Sequence, residues 1–395
     1  MLEYALVAGL TSSGADAYIM HVTTTPSVSF AARCGMFDCG IVVSASHNPY
    51  FDNGIKLLNG KGEKLGDDVV CLIEDYLDNP CGADIGFASG ADIGAAVDYV
   101  AGRNSYMAHL MTIVSVPFTD MKIGLDCANG AAYNIARRVF RSLGAEVHSV
   151  GCRPDGLNVN DGVGSTHIGA LRNLVSERGL DIGFAFDGDG DRCICVDEKG
   201  CVIDGDGILY VLARYFNDCD ALAGEKIVAT VMSNSGLIHS LGELGISVER
   251  CAVGDRYVYE KMCRCGAVLG GEQSGHIIVG KVENTGDGVV TALYMAQAMK
   301  NAGVRASQLT DGLIIFPQVC ASVAVRDKQS AFSLRVEEEK RRAEALLGDK
   351  GRVLVRPSGT ESVVRIMVEG ADENLCIKLC DRLVCAVEGG SLCAE

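Results

Sequence analysis

Short apolar segments alternate along most of the chain with longer segments whose apolar residues recur every three or four positions. The short segments, bounded by polar turns, are typical of buried strands, and the longer ones are typical of amphipathic helices. Regular alternation of the two predicts an α/β fold with largely parallel sheets. The strands are predicted at Lys122–Asp126, Asp181–Phe186, Ile227–Met232 and Ala267–Gly270, and the helices at Gly130–Leu143, Ile168–Arg178, Gly207–Phe216 and Gly288–Met299.

The last quarter of the chain has a different pattern, in which short strands alternate with two long helices. This pattern predicts a separate α+β domain. The strands are predicted at Gly312–Phe316, Cys320–Arg326, Arg352–Arg356 and Ser362–Val368, and the helices near Ala331–Leu347 and Asn374–Val387.

Domain boundaries are predicted where polar or proline-containing turns interrupt the pattern. We therefore expect three similar α/β domains with mixed or parallel sheets, followed by a C-terminal α+β phosphate-binding domain. Active sites of such proteins lie where domains meet, so the chemical motifs should be distributed among the domains. The predicted domains are residues 1–116, 117–218, 219–316 and 317–395.

The composition is that of an ordinary globular protein, with 48% hydrophobic and 22% charged residues. No apolar run reaches the roughly 18 residues that would suggest a membrane span, and the first residues lack the basic segment of a signal peptide. We therefore expect a cytoplasmic protein. The 18 cysteines are scattered, without a CxxC pair or zinc-like spacing, so we expect reduced thiols that pack as small hydrophobic residues.

The formal net charge of −16 makes nucleic acid and anionic membranes unsuitable partners, because both would be repelled. The same charge would repel a phosphorylated substrate. Any phosphate site must therefore be a local cluster of basic side chains and backbone N–H groups.

The first chemical motif is SASHNP at residues 44–49, which follows the apolar strand Gly40–Val43. Small residues there expose the hydroxyl of Ser46 on a turn, with His47 beside it and Lys56 ten positions further on. A serine hydroxyl is a poor nucleophile unless a base or a cation assists it. An ordinary turn rich in Ser, Asn and Pro is the alternative interpretation.

The second motif is DGDGDR, in which Asp187, Asp189 and Asp191 alternate with glycines directly after a predicted strand. Glycine lets the backbone fold so that the carboxylates converge, and three like charges need a cation. Oxygen ligands favour Mg²⁺ or Ca²⁺. An EF-hand calcium loop is excluded because Arg192 stands where that loop needs glycine, which leaves Mg²⁺ if the substrate is a phosphate, or a solvated turn.

The third motif is GEQSGH at residues 271–276, a glycine-bounded loop that follows another predicted strand. It places a carboxylate, an amide, a hydroxyl and an imidazole close together in sequence, those of Glu272, Gln273, Ser274 and His276. Such a set can hydrogen-bond several sugar hydroxyls. A polar turn without a chemical role is an equal alternative.

The fourth motif is RPSGTE at residues 356–361, with a further arginine beyond it. Backbone N–H groups and hydroxyls of a glycine-centred turn can surround a phosphate while a guanidinium binds it in a fork. An ordinary turn without a chemical role is again the alternative interpretation. The candidate phosphate-binding residues are Arg356, Ser358, Gly359, Thr360 and Arg365.

Together, the four motifs resemble those of the α-D-phosphohexomutase superfamily, where they form the phosphoserine, metal, sugar and phosphate loops. The resemblance covers essentially the whole chain. It is strongest to the branch that interconverts glucosamine 6-phosphate and glucosamine 1-phosphate for amino-sugar nucleotide and cell-wall precursor synthesis. Gln273 and the stretches CAVGDRYVYEKM, VMSNSGL and NTGDGVVTALYM carry that closer match.

The resemblance implies an isomerase that acts through a phosphoserine and a sugar bisphosphate, which would also be its activator. Ser46 would carry the phosphoryl group, and its phosphate would hold one Mg²⁺ together with the three aspartates of the metal loop. The phosphoserine would phosphorylate the free hydroxyl of the phosphosugar, and the other phosphate would then return to Ser46. His47 and Lys56 are the candidates for assisting proton transfer.

The resemblance also implies how the substrate binds. Arg192 and Arg256 would orient it, and Glu272 and Ser274 would bind its sugar hydroxyls. The five residues of the phosphate loop would hold the phosphate that is not reacting, whichever end of the sugar carries it. The sequence leaves the oligomeric state open, with a homodimer as one assembly to test.

The start of the chain departs from the family pattern. Members usually begin with a strand that carries a GTDGIRG-like motif and then a strand with an arginine-containing loop, whereas this chain opens on a helix at Leu2. We therefore expect a chain shortened by about fifty residues, or two strand–helix units. Smaller departures are Ser362, where proline is usual, and Val163, where cysteine is common.

Three other functions remain open at this point. A mutase of the mannose or glucose branch would prefer those sugar phosphates over the amino sugar. A hydrolase with a serine nucleophile would release inorganic phosphate, whereas a mutase retains the phosphoryl group. A catalytically impaired remnant would still bind phosphosugars.

Overall fold

The computed structural model of the chain describes residues 1–35, 37–79, 86–325, 334–348, 351–357 and 362–388. Contacts divide the chain into two compact units. The first consists of Met1–Met232 and Leu244–Asp311, and the second of Ser233–Glu243 and Gly312–Glu395.

The N-terminal part of the first unit contains two small sheets, a parallel pair of β1 with β4 and an antiparallel hairpin of β2 with β3. Thr24 caps the start of helix α2, because its side chain accepts a hydrogen bond from the N–H of Ser27, and Pro26 suits the first turn of the helix. The elements are α1 (Leu2–Ser12), β1 (Ala17–Ile19), α2 (Thr25–Cys34), β2 (Cys39–Ser44), β3 (Gly54–Asn59), α3 (Asp67–Asp78), β4 (Ala96–Asp98) and α4 (Val100–Ile113).

A five-stranded sheet with the order β6-β5-β7-β8-β9 follows. Its strands β6, β5 and β7 are parallel, while β8 and β9 are antiparallel to their neighbours. All residues of β7 and β8 are buried, so the turn between them is held by strands that are packed on both faces. The elements are β5 (Lys122–Asp126), α5 (Ala132–Ser142), β6 (Glu146–Val150), α6 (Gly169–Arg178), β7 (Ile182–Phe186), β8 (Cys193–Asp197) and β9 (Val202–Ile203).

A four-stranded sheet with the order β11-β10-β12-β13 completes the first unit. Its last pair, β12 and β13, is a hairpin whose turn carries residues 272–276. In chain order the elements are α7 (Gly205–Asp218), β10 (Lys226–Thr230), α8 (Ser235–Glu243), β11 (Ser247–Cys251), α9 (Asp255–Cys265), β12 (Leu269–Gly271), β13 (Ile277–Val279) and α10 (Gly288–Ala302), of which α8 belongs to the second unit.

The second unit contains an antiparallel sheet with the order β14-β16-β15. Its central strand β16 packs Val364, Ile366 and Val368 against Leu379 and Leu383 of the last helix. The elements are β14 (Gln318–Ala324), α11 (Leu334–Leu347), β15 (Gly351–Pro357), β16 (Val363–Gly370) and α12 (Glu373–Val387).

The predicted α/β multidomain class is confirmed by this architecture, whereas the exact domain boundaries remain predictions. One predicted strand, Gly312–Phe316, is wrong. Side chains of the α8 region bind its backbone in place of a strand partner: the N–H of Ile314 donates to Ser240 Oγ (2.9 Å), and the N–H of Phe316 donates to Asn234 Oδ1 (3.0 Å). Arg326 and residues 331–333, which also fell within predicted elements, lie outside the described residues.

Among the described residues, no helix is both long enough and apolar enough to cross a membrane.

Three stacked phenylalanines form part of the core beside the five-stranded sheet. The ring centroids of Phe118 and Phe140 are 5.8 Å apart, and those of Phe140 and Phe184 are 5.7 Å apart. All three side chains are fully buried. They join β7 to α5 below the turn that carries the aspartates.

Phe184→Ala should lower the free energy of unfolding by about 3–5 kcal/mol, because it leaves a cavity in a packed core. Urea denaturation followed by circular dichroism measures the change. Phe87, which is 85% exposed, provides the matched control; Phe87→Ala should change stability by less than about 0.5 kcal/mol. Equal losses in the two variants would contradict the assignment of this stack as core.

Candidate active site

Ser46 lies on the turn of the β2–β3 hairpin, with a left-handed backbone φ of 52°. Its own N–H donates to Ser44 Oγ at 2.8 Å. Its carbonyl oxygen accepts from Asn160 Nδ2 at 2.8 Å and from the N–H of Gly188 at 3.1 Å. The serine turn is therefore fixed to the loop that carries the aspartates, and its half-buried hydroxyl lies 3.4 Å from Asp187 Oδ2.

The glycines of the aspartate loop are required by close packing. A Cβ atom at Gly188 would lie 2.4 Å from the carbonyl oxygen of Ser46. At Gly190, where φ is +73°, a Cβ atom would lie 2.7 Å from Thr24 Cγ2. The alternation of Asp and Gly thus reflects two requirements, converging carboxylates and backbone that other chain segments approach closely.

Asp187, Asp189 and Asp191 are buried, and one carboxylate oxygen of each lies within 4.8 Å of the others. Asp187 Oδ1 accepts from the N–H of Arg192 at 3.1 Å, and Asp189 Oδ2 accepts from the hydroxyl of Thr25 at 2.6 Å. These contacts fix the orientation of the carboxylates from two sides.

The donor set fits a hard divalent cation. Asp189 Oδ1 and Asp191 Oδ1 are buried, and neither has a hydrogen-bond partner among the described residues. Unpartnered buried carboxylate oxygens are costly unless a cation binds them. Three carboxylates and the oxygen of Ser46 offer only hard oxygen ligands, the type that Mg²⁺ prefers.

Lys56 offsets part of this negative charge. Its Nζ donates to Asp189 Oδ2 at 2.5 Å and to Asp191 Oδ2 at 3.0 Å. Burial alone would lower the pKa of Lys56, but the two carboxylates more than compensate and raise it. Burial raises the pKa of Asp187, with further increases from the charges of Asp191 and Asp189.

His276, which was expected only as one of the possible sugar-binding groups of the third motif, faces the aspartates instead. The N–H of Gly286 donates to its Nε2 at 3.0 Å, so in the neutral ring the proton is on Nδ1, 3.8 Å from Asp191 Oδ2. Burial would lower the pKa of His276, but the charge of Asp191 outweighs it and raises the pKa. Lys64 and Asp255 continue this charge network, with Nζ and Oδ2 2.6 Å apart.

His47 and Arg192 lie at the edge of the cluster. Although His47 is exposed overall, partial desolvation of its ring and then the charge of Arg192 lower its pKa. The Nε of Arg192 is buried and has no hydrogen-bond partner in the described part of the chain. The structure therefore brings the predicted groups Ser46, Lys56 and the three aspartates together, with His47 and Arg192 near them.

The predicted sugar-binding residues lie around the β12–β13 turn. Glu272 Oε1 accepts from the N–H of Gly254 at 3.0 Å, which ties the turn to the start of α9, and Ser274 is exposed. Arg256 binds Glu260 (Nε to Oε1, 2.9 Å) and Asp67 of α3 (2.5 Å). Arg256 and His276 both line a cavity of about 400 Å³, together with Lys64 and Asp255.

In the second unit, Arg356 of β15 and Arg365 of β16 lie directly opposite each other in the antiparallel register. Opposed residues on neighbouring strands project from the same face of the sheet. The other predicted phosphate-loop residues, Ser358, Gly359 and Thr360, lie outside the described residues.

Sequence reasoning missed several residues that build the site. Asn160, which binds the carbonyls of Ser46 and Asn48, lies in a loop with no chemical signature. Thr25 had one available signal, the Thr-Pro pair that starts α2. The N–H of Gly288, at the start of α10, donates to the carbonyl of Gly190 at 3.0 Å.

Four family models match the chain in succession. They are described as phosphoglucomutase/phosphomannomutase alpha/beta/alpha domains I, II and III and a C-terminal domain, and they match residues 1–80, 104–200, 204–328 and 321–384. The chain belongs to the phosphoglucomutase/phosphomannomutase family. The superfamily resemblance predicted from the four motifs is thereby confirmed.

Two curated relatives indicate which mutases of this family the chain resembles. The chain is 51% identical over 385 residues to the phosphoglucosamine mutase of Lachnospira eligens, which covers 97% of this chain and 85% of the relative. It is 50% identical over 385 residues to that of Lachnoclostridium phytofermentans, with 97% and 86% covered.

Solved structures agree on the fold. A phosphoglucomutase/phosphomannomutase family protein from Burkholderia thailandensis superposes with a TM-score of 0.80 at 25% identity, covering 99% of this chain and 87% of that one. An Aspergillus fumigatus N-acetylphosphoglucosamine mutase, solved with GlcNAc-6P and magnesium, gives a TM-score of 0.71 at 16% identity, with 93% of each chain covered.

A second buried charge cluster lies within the first unit. The Glu283 side chain is fully buried; its Oε2 accepts from Arg33 at 3.1 Å, and its Oε1 faces His109 Nε2 at 3.6 Å. Burial, followed by the charge of Asp287, raises the pKa of Glu283 from its ordinary 4.5 to about 8. The folded state therefore binds this proton more tightly than the unfolded chain does.

The stability that Glu283 contributes is fully present below pH 4.5 and is lost as the pH rises through about 8. Because a glutamine stays neutral at every pH, the Glu283→Gln variant should become more stable than the unaltered chain as the pH rises through this range. The difference in free energy of unfolding should reach on the order of 2 kcal/mol. Urea denaturation at a series of pH values measures it. The exposed Glu74 gives a control, Glu74→Gln; parallel pH curves for Glu283→Gln and the unaltered chain would contradict the prediction.

Proposed function

We propose that this chain has phosphoglucosamine mutase activity, the interconversion of glucosamine 6-phosphate and glucosamine 1-phosphate through a phosphoserine at Ser46. The observation that carries the proposal is the fixed position of the Ser46 hydroxyl, 3.4 Å from Asp187 Oδ2, on a turn bound to the aspartate loop. Relatives about half identical over nearly the whole chain are phosphoglucosamine mutases, which supports the choice of sugar.

Asp187, Asp189 and Asp191 would hold one Mg²⁺ together with the phosphate on Ser46. A bound divalent cation neutralises charge on a phosphoryl group during its transfer. The unpartnered oxygens of Asp189 and Asp191 support this assignment.

In the first half-reaction the bond from phosphorus to Ser46 Oγ breaks, and a bond forms to the free hydroxyl of the substrate. The hydroxyl loses its proton, and Ser46 Oγ regains one. His47 and Lys56 are the groups proposed for these proton transfers, because one follows Ser46 in the turn and the other contacts two of the aspartates. The reverse transfer from the other end of the sugar bisphosphate regenerates the phosphoserine, so added bisphosphate should act as an activator.

Substrate contacts complete the proposal. Arg192 and Arg256 would orient the phosphosugar, and Glu272 and Ser274 would bind its hydroxyls. In the second unit, Arg356 and Arg365 would bind the unreacting phosphate; their opposed positions suit one anion shared by two guanidinium groups. Ser358, Gly359 and Thr360 are proposed for the same phosphate from the sequence alone.

The purified chain should convert glucosamine 6-phosphate to the 1-phosphate, with a higher kcat/KM than for mannose or glucose 6-phosphate. Phosphorus NMR distinguishes the sugar 1-phosphates from inorganic phosphate. Equal kcat/KM for the three sugar phosphates would contradict the proposed specificity. Release of inorganic phosphate alone would indicate a hydrolase, and binding without turnover would indicate an impaired remnant.

Ser46→Ala should lose activity by at least about a thousandfold, because the phosphoryl carrier is removed. Intact-mass spectrometry should find one phosphate on the unaltered chain and none on this variant. Ser13→Ala, at an exposed position after α1, should keep both the phosphate and the activity. Full activity in Ser46→Ala would exclude the phosphoserine mechanism.

Asp189→Asn should weaken Mg²⁺ binding at least about tenfold, because it removes a charged oxygen ligand. Isothermal titration calorimetry of the metal alone measures the affinity without any turnover. The exposed Asp161 offers the control Asp161→Asn, which should bind Mg²⁺ like the unaltered chain. Equal affinity in Asp189→Asn would remove this carboxylate from the metal site.

A further inference from the structure

Two cysteines follow neighbouring strands at the same end of the five-stranded sheet. Cys127 directly follows β5, and Cys152 lies two residues after β6, the parallel neighbour of β5. The N–H of Cys127 donates to the carbonyl of Val150 at 3.2 Å, which holds the two strand ends together. The thiol of Cys152 donates to this same carbonyl of Val150 at 3.2 Å, so both cysteines converge on one oxygen atom.

We propose that Cys127 and Cys152 form a reversible disulfide, which makes this end of the sheet an oxidative modification site for small peroxides. The pair is separated by 24 intervening residues in sequence, and the strand register brings it together. Disulfide formation requires that two sulfurs approach without backbone rearrangement. The two contacts with the Val150 carbonyl and the paired strand ends place Cys127 and Cys152 beside each other, which favours such an approach.

The two thiols differ in the way that the chemistry needs. Cys127 is fully buried, whereas Cys152 is partly exposed and can meet a small oxidant. The neighbouring Cys127 thiol lowers the pKa of Cys152, against the effect of burial, with smaller contributions from Ser149 and Arg137. The same pairing, and then burial, raise the pKa of Cys127. Cys152 is therefore the nucleophile, because it is the accessible thiol of the pair and its lowered pKa favours the reactive thiolate.

Arg137 supports the same assignment. Its charge acts on both cysteines, and its Nε is buried with no hydrogen-bond partner in the described ranges. A nearby guanidinium favours the thiolate form of a cysteine.

The oxidation is a two-step exchange with hydrogen peroxide. The thiolate of Cys152 attacks one peroxide oxygen, the O–O bond breaks, and the released hydroxide takes a proton to become water, which leaves a sulfenic acid on Cys152. The sulfur of Cys127 then attacks the Cys152 sulfur. The hydroxyl leaves with the proton of Cys127 as a second water, so two thiols lose two electrons and one peroxide gains them.

The disulfide would shift the backbone beside the turn that carries Ser46. Ala128 and Asn129, which follow Cys127, both have left-handed φ values, 55° and 48°. Beyond them, the N–H of Ala131 donates to the carbonyl of Gly188 at 2.8 Å, and the N–H of Gly188 in turn binds Ser46. A shift of the Cys127 sulfur is thus connected to the Ser46 turn through two backbone hydrogen bonds.

The test treats the folded full-length chain with one equivalent of hydrogen peroxide, alkylates the remaining thiols under denaturing conditions and digests with trypsin without reduction. Mass spectrometry should find the peptide Ile123–Arg137 linked to the peptide that begins at Ser142 and contains Cys152. The link should disappear after dithiothreitol. Cys152→Ser and Cys152→Ala should lack the link and leave Cys127 fully alkylated.

Cys193 and Cys195 provide the internal control, because both are fully buried on β8 and offer no accessible nucleophile. They should remain alkylated at the dose that links Cys127 to Cys152. If Cys127 and Cys152 are alkylated to the same extent as this pair, or if Cys152 accumulates as sulfinic acid without a link, the proposal is wrong. Both outcomes are read on the unaltered chain, and neither depends on its mutase activity.

Discussion

Three buried carboxylates on one six-residue turn are the constraint around which the first unit is built. At separations below 5 Å their mutual repulsion is severe in a buried site. The surrounding elements compensate in different ways: Lys56 supplies charge from a hairpin strand, Thr25 donates from a helix start, and His276 faces Asp191 from another turn. Each of these groups comes from a different part of the sequence, so the site forms only when all of those parts are folded.

Glycine makes this concentration of charge sterically feasible. The backbone of the aspartate loop approaches the Ser46 turn at Gly188 and the start of α2 at Gly190, closer than any side chain would allow. The loop also binds the first N–H of α10 through Gly190. The nucleophile candidate and the cation site are thus positioned by direct backbone contact, which is stiffer than contact through long side chains.

Periodicity was sufficient to predict the fold class, and the resemblance of the four motifs to a known superfamily implied the adjacency of Ser46 to the aspartates. The sequence was insufficient for Asn160 and for the facing of His276 towards Asp191, because those contacts join segments with no local signal. The strand expected at Gly312–Phe316 was wrong for a related reason, because contacts with residues distant in sequence overrode the local pattern. Its apolar run is real, but Asn234 and Ser240, distant in sequence, take the backbone groups that a strand would use.

The position of Lys56 on β3 has an evolutionary consequence. Lys56 is paired with Val42, and Ser44 with Gly54, so the hairpin register decides which side chain meets the aspartates. Successive strand residues point to opposite faces, so a slip by one position would present Ile55 or Leu57 to a triad of carboxylates. The turn between Ser44 and Gly54 can therefore gain or lose residues only if the pairing of β2 with β3 stays the same. Any change that shifts this pairing by one residue would turn Lys56 away from the aspartates.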